Sequence, residues 1–187
     1  DMIGRNGHQR WPEALQAVNN FWKELPDRYK YNHQLERFEE EYENWDCSNE
    51  GFEGIRAQDI LPLLIKNFHF ELFIAFANVI DIFVDRGFGH NFDKSDKSDR
   101  DFIDRVHRFD EDSMREGVLT PTHMMAVLRI APVENPRYSR DLTPEFCVRE
   151  PGPDEMPQEN VNEGTVNEGN QEISFVSRVF RKLRSWF

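Results

Sequence analysis

Hydrophobic positions along residues 1–130 predict an alternation of helices and strands. In residues 12–25 they recur every three or four positions, which is the spacing of a helix with one buried face. In residues 68–76 a phenylalanine, leucine or isoleucine stands at every second position, which is typical of a strand. The other predicted elements are helices from residue 58 or 59, in 79–85 and in 99–116, and a strand in 122–130. This order predicts an α/β fold.

Prolines, an aspartate and a glycine mark where the predicted helices begin and end. Pro12 suits a first helical turn, and Pro26 follows the end of that helix. Asp59 is predicted to cap the second helix, which places Pro62 in its first turn, where a missing N–H costs little. Gly117 is predicted to end the last helix.

Residues 1–4 have the pattern of a strand end whose beginning is absent. Two complete strands and such a stub make an incomplete sheet, because an independently stable sheet usually needs more strands or more cover. We therefore expect residues 1–130 to fold only marginally on their own, with an apolar sheet edge and face exposed.

Charge and composition change after residue 130. Residues 131–172 hold ten acidic residues, three basic residues and six of the ten prolines. They offer too little apolar surface to offset the entropy of ordering the chain. The composition therefore predicts a disordered acidic linker.

Residues 173–187 have the pattern of a basic amphipathic helix. Apolar side chains recur at helical spacing, and four basic residues are opposed by no acidic one. One interpretation is a helix that docks on its own acidic domain or on a partner. The other is a helix on an anionic membrane surface, with Trp186 and Phe187 in the interface.

The composition of the whole chain excludes several classes of protein. The 187 residues carry a net charge of -12, which argues against general nucleic-acid binding. No apolar run is long enough for a membrane-spanning helix, and the first residues do not resemble a signal peptide, so we expect a cytoplasmic protein. Cys47 and Cys147 are interpreted as free thiols, with a single long-range disulfide as the alternative.

The sequence contains none of the familiar catalytic or metal-binding motifs considered below. The histidines and cysteines lack the spacing of metal ligands, so no metal site is predicted. No P-loop or nucleophile elbow occurs. The acidic runs in residues 39–41 and 110–112 are interpreted as solvated surface. Arg56 is expected to pair with Asp59.

Three polar stretches in predicted loops are the candidate ligand-binding segments. The first, residues 5–11, follows the strand stub and so lies at the carboxyl end of a strand, where open α/β sheets bind ligands. The second combines residues 31–33 with 45–47, and the third is residues 89–92. Each mixes hydrogen-bond donors, acceptors and an aromatic ring, as ligand pockets do. The alternative is that they cap helices and fill loop cores.

A series of short motifs runs through residues 1–124. They are DMIGRNGH (1–8), RWPEA (10–14), WDC (45–47), EGFEGIRAQDILP (50–62), FHFEL (68–72), FVDR (83–86), GHNF (89–92) and PTHM (121–124). This series resembles the segment that follows the fifth strand of class I S-adenosylmethionine-dependent methyltransferases. The resemblance covers about residues 1–130 and nothing after them.

The resemblance implies a partial Rossmann-like methyltransferase sheet. Residues 68–76 would be its sixth strand and residues 122–130 its antiparallel seventh, while residues 12–67 and the intervening helices would cover the substrate side. The family binds S-adenosylmethionine through a glycine-rich loop and an acidic residue, both of which would lie upstream of Asp1. The resemblance therefore implies the carboxyl-terminal portion of a methyltransferase, inactive alone. Either a partner chain carries the missing half, or the sequence is a truncated version of a longer protein.

The leading functional hypothesis is the substrate side of methyl transfer to a small molecule. Such a reaction requires positioning of the acceptor and, for a protic acceptor, a base. By loop position, the candidate bases are His8, His33 and His90, and the candidate acceptor-binding residues are Arg5, Asn6, Trp11 and Asn91. The alternative is a non-enzymatic interaction module, in which residues 131–172 and 173–187 reach a partner or a membrane surface.

Overall fold

A computed structural model describes residues 2–149. It is a mixed α/β fold with four helices, α1 (Pro12–Glu24), α2 (Ala57–Asn67), α3 (Ile80–Val84) and α4 (Lys97–Arg115). The strands are β1 (Tyr31–Asn32), β2 (Arg37–Phe38), β3 (His69–Phe76), β4 (His123–Arg129) and β5 (Arg137–Tyr138). The predicted α/β class and the order of the main helices and strands are confirmed.

The main sheet has three strands in the order β4-β3-β5. β3 pairs antiparallel with β4, as the resemblance implies, and parallel with β5. The predicted stub pairs with the far side of β4, since Met2 bridges His123 and the amide of Ile3 donates to the Thr122 carbonyl at 2.8 Å. Beyond this bridge, β4 has no strand on its outer edge among residues 2–149.

A bulge in β3 changes which side chains are buried. Phe70 pairs with Leu128, but the next pair is Leu72 with Val127, so Glu71 is an extra residue in this strand. An extra residue moves the following side chains to the opposite faces. Phe73 and Ala75 are therefore buried with Phe70. The prediction that residues 68–76 alternate without interruption is wrong for this reason.

Two apolar clusters flank the sheet and its helices. The first lies against α2 and joins Leu61, Phe70, Phe73 and Met124. The second is aromatic and centres on Phe21 of α1, which meets the rings of Phe83, Phe102 and Phe109 edge-on at centroid distances of 6.3, 6.1 and 5.4 Å. Edge-to-face pairs add to the stabilisation that burial of their area provides.

The start of α2 differs from the prediction. The helix begins at Ala57, so Pro62 is its sixth residue and lies inside the helix, not in the first turn. Asp59 does not cap it. The carboxylate of Asp59 instead accepts from Nε of Arg56 at 2.6 Å, which confirms the predicted pair.

Residues 131–149 are not a disordered linker. Within them Arg137–Tyr138 form β5, and Leu142 and Cys147 are buried in the α2 cluster. The composition did not reveal these two buried residues, because it is an average over the whole acidic, proline-rich stretch. The rest of the predicted linker and the predicted basic helix of residues 173–187 lie outside the described residues.

The two cysteines differ sharply in their surroundings, which provides a test of this correction. Neither is in a disulfide; Cys147 is 4 % exposed, and burial raises the pKa of its thiol to about 12. We expect a thiol reagent at pH 8 to label Cys47 quickly and Cys147 only after unfolding, because the thiolate is the reactive form. Mass spectrometry with Cys47→Ser as the control would measure this, and rapid labelling of Cys147 would contradict the packing of residues 131–149.

Candidate functional site

Three chain segments meet at one edge of the main sheet. Residues 2–3 and β3 both end there, and β4 begins there because it runs antiparallel to them. Loop 5–11 follows the first of these segments, and α3 follows the second after a short turn. This edge is the carboxyl edge of the sheet, where open α/β sheets place ligands.

Loop 5–11 is held by the segment of residues 44–58. The amide of Asn6 donates to Gln58 Oε1 and the amide of Gln58 donates to Asn6 Oδ1, both at 3.3 Å. Gly7 has a φ of +65° and donates to the Gly54 carbonyl at 2.8 Å. A Cβ on Gly7 would lie 1.9 Å from Oδ1 of Asp46, so this approach requires a glycine.

The candidate residues of this loop take different positions. The Arg5 guanidinium lies over the Trp11 ring, 5.4 Å from its centroid. His8 is half-buried, with Nε2 at 3.8 Å from Oε1 of Glu53 and a buried Nδ1 that has no hydrogen-bond partner. One loop, held by residues 44–58, therefore carries four of the candidate residues, Arg5, Asn6, His8 and Trp11. They belong to the single polar stretch that was selected from the sequence.

A buried ion pair at the same edge was not predicted. Arg10 is 4 % exposed, and its Nη2 donates to Oδ2 of Asp81 at 2.6 Å. Nδ1 of His123 lies 3.9 Å from the same oxygen. Arg10 and Asp81 lie 71 residues apart in the sequence, and only the fold brings them together.

Unpartnered polar atoms surround this ion pair. Nε of Arg10, Oδ1 of Asp81 and Nδ1 of His8 are buried without a hydrogen-bond partner. Buried polar groups in proteins are nearly always satisfied by protein, water or ligand. The cluster therefore has capacity to bind a further polar group.

Asp110 of α4 fixes the turn that presents Asp81. It is completely buried and accepts from the backbone amides of Asn78, Val79 and Ile80 at 2.9, 2.8 and 3.4 Å. Burial raises its pKa to about 7, against the opposing effect of these amides. The interpretation of residues 110–112 as solvated surface is therefore wrong for Asp110.

The other three candidate residues form a second group. His33 and His90 meet edge-on with their ring centroids 5.4 Å apart, and Nε2 of His33 lies 2.9 Å from Oδ1 of Asn91. The Asn91 amide donates to the carbonyls of Tyr29 and Tyr31 at 2.9 and 2.8 Å. The structure thus joins the second and third polar stretches, which the sequence treated separately.

A cleft of about 500 Å³ opens between the β1–β2 hairpin, residues 42–53 and the end of α3. This volume is within the usual range for small-molecule sites. Glu39 in its wall is buried and accepts from the Asn32 amide at 3.0 Å, so this member of the 39–41 run is also not solvated surface. Its lining includes Asn32, Glu39, Tyr42, Trp45, Glu53 and Asp85.

The cleft borders the buried ion pair. Burial raises the pKa of Tyr42 in the cleft wall to about 12, and the charges of Arg10, Asp81, Asp85 and Glu39 all act on this hydroxyl. Glu53, another lining residue, lies beside His8. Burial also raises the pKa of Asp85. The charges of the ion pair therefore act on residues that line the cleft.

The glycines at the carboxyl edge do not form a cradle for S-adenosylmethionine. A Cβ on Gly4 would meet Thr122 at 3.0 Å, and the Cβ position of Gly7 is occupied by Asp46. Side chains of this chain therefore fill the space that these glycines leave. These two glycine positions therefore do not fit the cofactor.

Two features are absent from residues 2–149. No group of three or more histidine, cysteine, aspartate or glutamate side chains is arranged to hold a metal ion. Within the same part of the chain, every helix is too short or too polar to cross a lipid bilayer. Comparisons with family models, curated proteins and solved structures found no match to this chain.

Proposed function

We propose that this chain is the acceptor side of an S-adenosylmethionine-dependent methyltransferase that acts on a small molecule. The observation that carries the proposal is the convergence of loop 5–11, α3 and β4 at one sheet edge, next to a cleft of about 500 Å³. The motif resemblance supports it, because the quoted motifs supply much of this edge and cleft.

The strand directions also support the proposal. β4 is antiparallel to residues 2–3 and to β3, which agrees with the antiparallel last strand that the resemblance implies. Among residues 2–149 no strand covers the outer edge of β4 beyond His123, and Met125 and Val127 are 61 % and 40 % exposed. An open edge with apolar neighbours favours strand addition by another chain.

A partner chain therefore supplies the cofactor-binding half in this proposal. The two glycine positions at the carboxyl edge do not hold the cofactor, because Thr122 and Asp46 fill the space beside them. The contribution of this chain is to bind and orient the acceptor in the cleft, where carboxylates accept hydrogen bonds and Trp45 provides a flat apolar surface. A cytoplasmic location remains a prediction from the sequence.

The test begins with calorimetric titration of the full chain with S-adenosylmethionine, for which we expect no binding. The chain is then purified with its co-expressed cofactor-binding partner, and methyl transfer to small molecules is measured. Trp45→Ala is expected to raise the KM for the acceptor about 5- to 10-fold, the loss of one aromatic contact. Phe68→Ala is the matched control, since Phe68 and Trp45 are similarly exposed, at 39 % and 41 %.

Each outcome separates a different part of the proposal. Micromolar binding of S-adenosylmethionine to the chain alone would overturn the need for a partner. Absence of transfer by the assembled complex would overturn the methyltransferase function. An unchanged KM in Trp45→Ala would show that the acceptor does not bind in the cleft.

A further inference from the structure

His123 lies at the carboxyl edge of the sheet. Its Nδ1 contacts neighbouring side chains, whereas its Nε2 is open to a ligand. Its ring stacks on Phe76, with the centroids 5.5 Å apart and the planes inclined by 22°. Nδ1 lies 3.0 Å from Oγ1 of Thr122 and 3.9 Å from the Asp81 carboxylate. Its side chain is 26 % exposed, so the ring is accessible from the edge.

Hydrogen-bond accounting fixes the tautomer of this imidazole. The Thr122 hydroxyl has one proton and donates it to the Ala77 carbonyl at 3.0 Å. With that proton on the Ala77 carbonyl, which also accepts from the Thr122 backbone amide at 2.8 Å, Oγ1 accepts at its contact with Nδ1, and this arrangement assigns a proton to Nδ1. Burial lowers the pKa of His123, which favours the neutral ring. In that ring Nε2 carries the lone pair.

The buried ion pair of Arg10 and Asp81 also acts on His123. The Asp81 carboxylate is fixed by Arg10, and it faces Nδ1 of His123. A proton taken up at Nε2 makes the ring an imidazolium, and the nearby carboxylate stabilises that charge. The neighbouring unpartnered atoms of Arg10 and Asp81 leave room in the hydrogen-bond network for a polar ligand.

We propose that His123 is the proton acceptor of this site, with Thr122, Asp81 and Arg10 as its positioning residues. The step is the removal of a proton from a hydroxyl of the acceptor. The O–H bond breaks, its electron pair stays on oxygen, and the proton forms a bond with Nε2 to give the imidazolium. The substrate class is a hydroxylated small molecule, and this role rests on the proposed function.

The three histidines selected from the sequence lack this arrangement. Nε2 of His33 already contacts the Asn91 side chain. His8 has its Nδ1 buried without a partner, and its Nε2 faces Glu53. His90 is held in an edge-on contact with His33. In none of them do the described contacts fix a tautomer with an open Nε2, as they do in His123.

Nitrogen-15 NMR of the full chain, labelled at histidine, tests the tautomer without any cofactor. His123→Gln identifies the signal, which should report a neutral ring protonated at Nδ1. Thr122→Val should shift the tautomer ratio toward protonation at Nε2 by about 2- to 12-fold, the loss of one hydrogen bond of ordinary strength. Thr122→Ser keeps the hydroxyl and should keep the wild-type ratio.

Reaction with diethyl pyrocarbonate, which attacks unprotonated ring nitrogens, gives a second reading. Thr122→Val should slow modification of His123, by no more than the factor by which the tautomer ratio falls, and should leave His69 unchanged, because His69 lies at the opposite end of β3. A wild-type ring protonated at Nε2, or a ratio that Thr122→Val does not change, would overturn the assignment.

The base role is tested in the assembled complex. His123→Gln should lower kcat about 100-fold or more, as expected for loss of a general base, while KM changes little. His69→Gln should change neither value. Full activity of His123→Gln would overturn the base and leave the proposed function standing, whereas a complex that transfers no methyl group would overturn the proposed function.

Discussion

Arg10→Met is expected to lower the free energy of unfolding by about 3–5 kcal/mol, because it leaves the Asp81 carboxylate buried without its cation. The Asp81 side chain is only 18 % exposed, so water replaces the guanidinium only in part. Methionine fills much of the volume of the arginine stem, which isolates the loss of charge. Urea denaturation followed by tryptophan fluorescence would measure the change.

Two variants separate the charge effect from general damage. Lys97→Met removes an ion pair whose partners are 80 % and 62 % exposed, and it should change stability by less than about 0.5 kcal/mol. Adding Asp81→Leu to Arg10→Met removes the isolated carboxylate and should recover much of the loss. A cost below about 1 kcal/mol for Arg10→Met would show that the Asp81 carboxylate is hydrated or neutral.

Asp110→Ala is expected to cost about 3–5 kcal/mol, since it leaves the three backbone amides at the start of α3 unsatisfied. The three residues that carry these amides, 78–80, are themselves buried, so water does not reach them easily. Asp104→Ala on the same helix is the control, because Asp104 is exposed and should have little effect on the urea midpoint. Equal effects of the two variants would contradict this role of Asp110.

The pH dependence of stability gives an independent reading of Asp110. Its folded pKa of about 7 lies above the unfolded value of about 3.9, so the native state binds the proton more tightly. Its contribution to stability is therefore complete below pH 4 and is lost as the pH rises through 7. Asp110→Asn cannot titrate, so the decline of the urea midpoint between pH 4 and 7 should be smaller in this variant. An unchanged decline of the urea midpoint in Asp110→Asn would show that other groups cause the pH dependence.

Elements with strong local signals could be predicted from the sequence. Pro12 and Pro26 bracket α1, and the observed helix ends at Glu24, one residue before the predicted end. The bulge at Glu71 could not be predicted, because the residues around it alternate without interruption and only the pairing with β4 shows the extra residue. Packing of residues 131–148 depends on Leu142 and Cys147, which lie in a stretch whose overall composition is acidic and rich in proline.

The candidate site could be predicted only in part, for a related reason. Loop 5–11 was recognisable because a strand end precedes a polar stretch that mixes hydrogen-bond donors, acceptors and an aromatic ring. Arg10, Asp81 and His123 have no local pattern, since each stands among ordinary neighbours and meets the others only in the folded chain. Asp110 was hidden in an acidic run, and burial of one carboxylate in such a run has no sequence signal.

The position of β3 in the sheet has a consequence for synthesis on the ribosome. β3 pairs with β4 on one side and β5 on the other, and both follow it in the sequence, after α3 and α4. The apolar strand therefore leaves the exit tunnel before either of its neighbours exists. Until residues 123–138 emerge, Phe70 and Phe73 lack the two strands that flank them, and the nascent chain in this interval is a natural client for a chaperone.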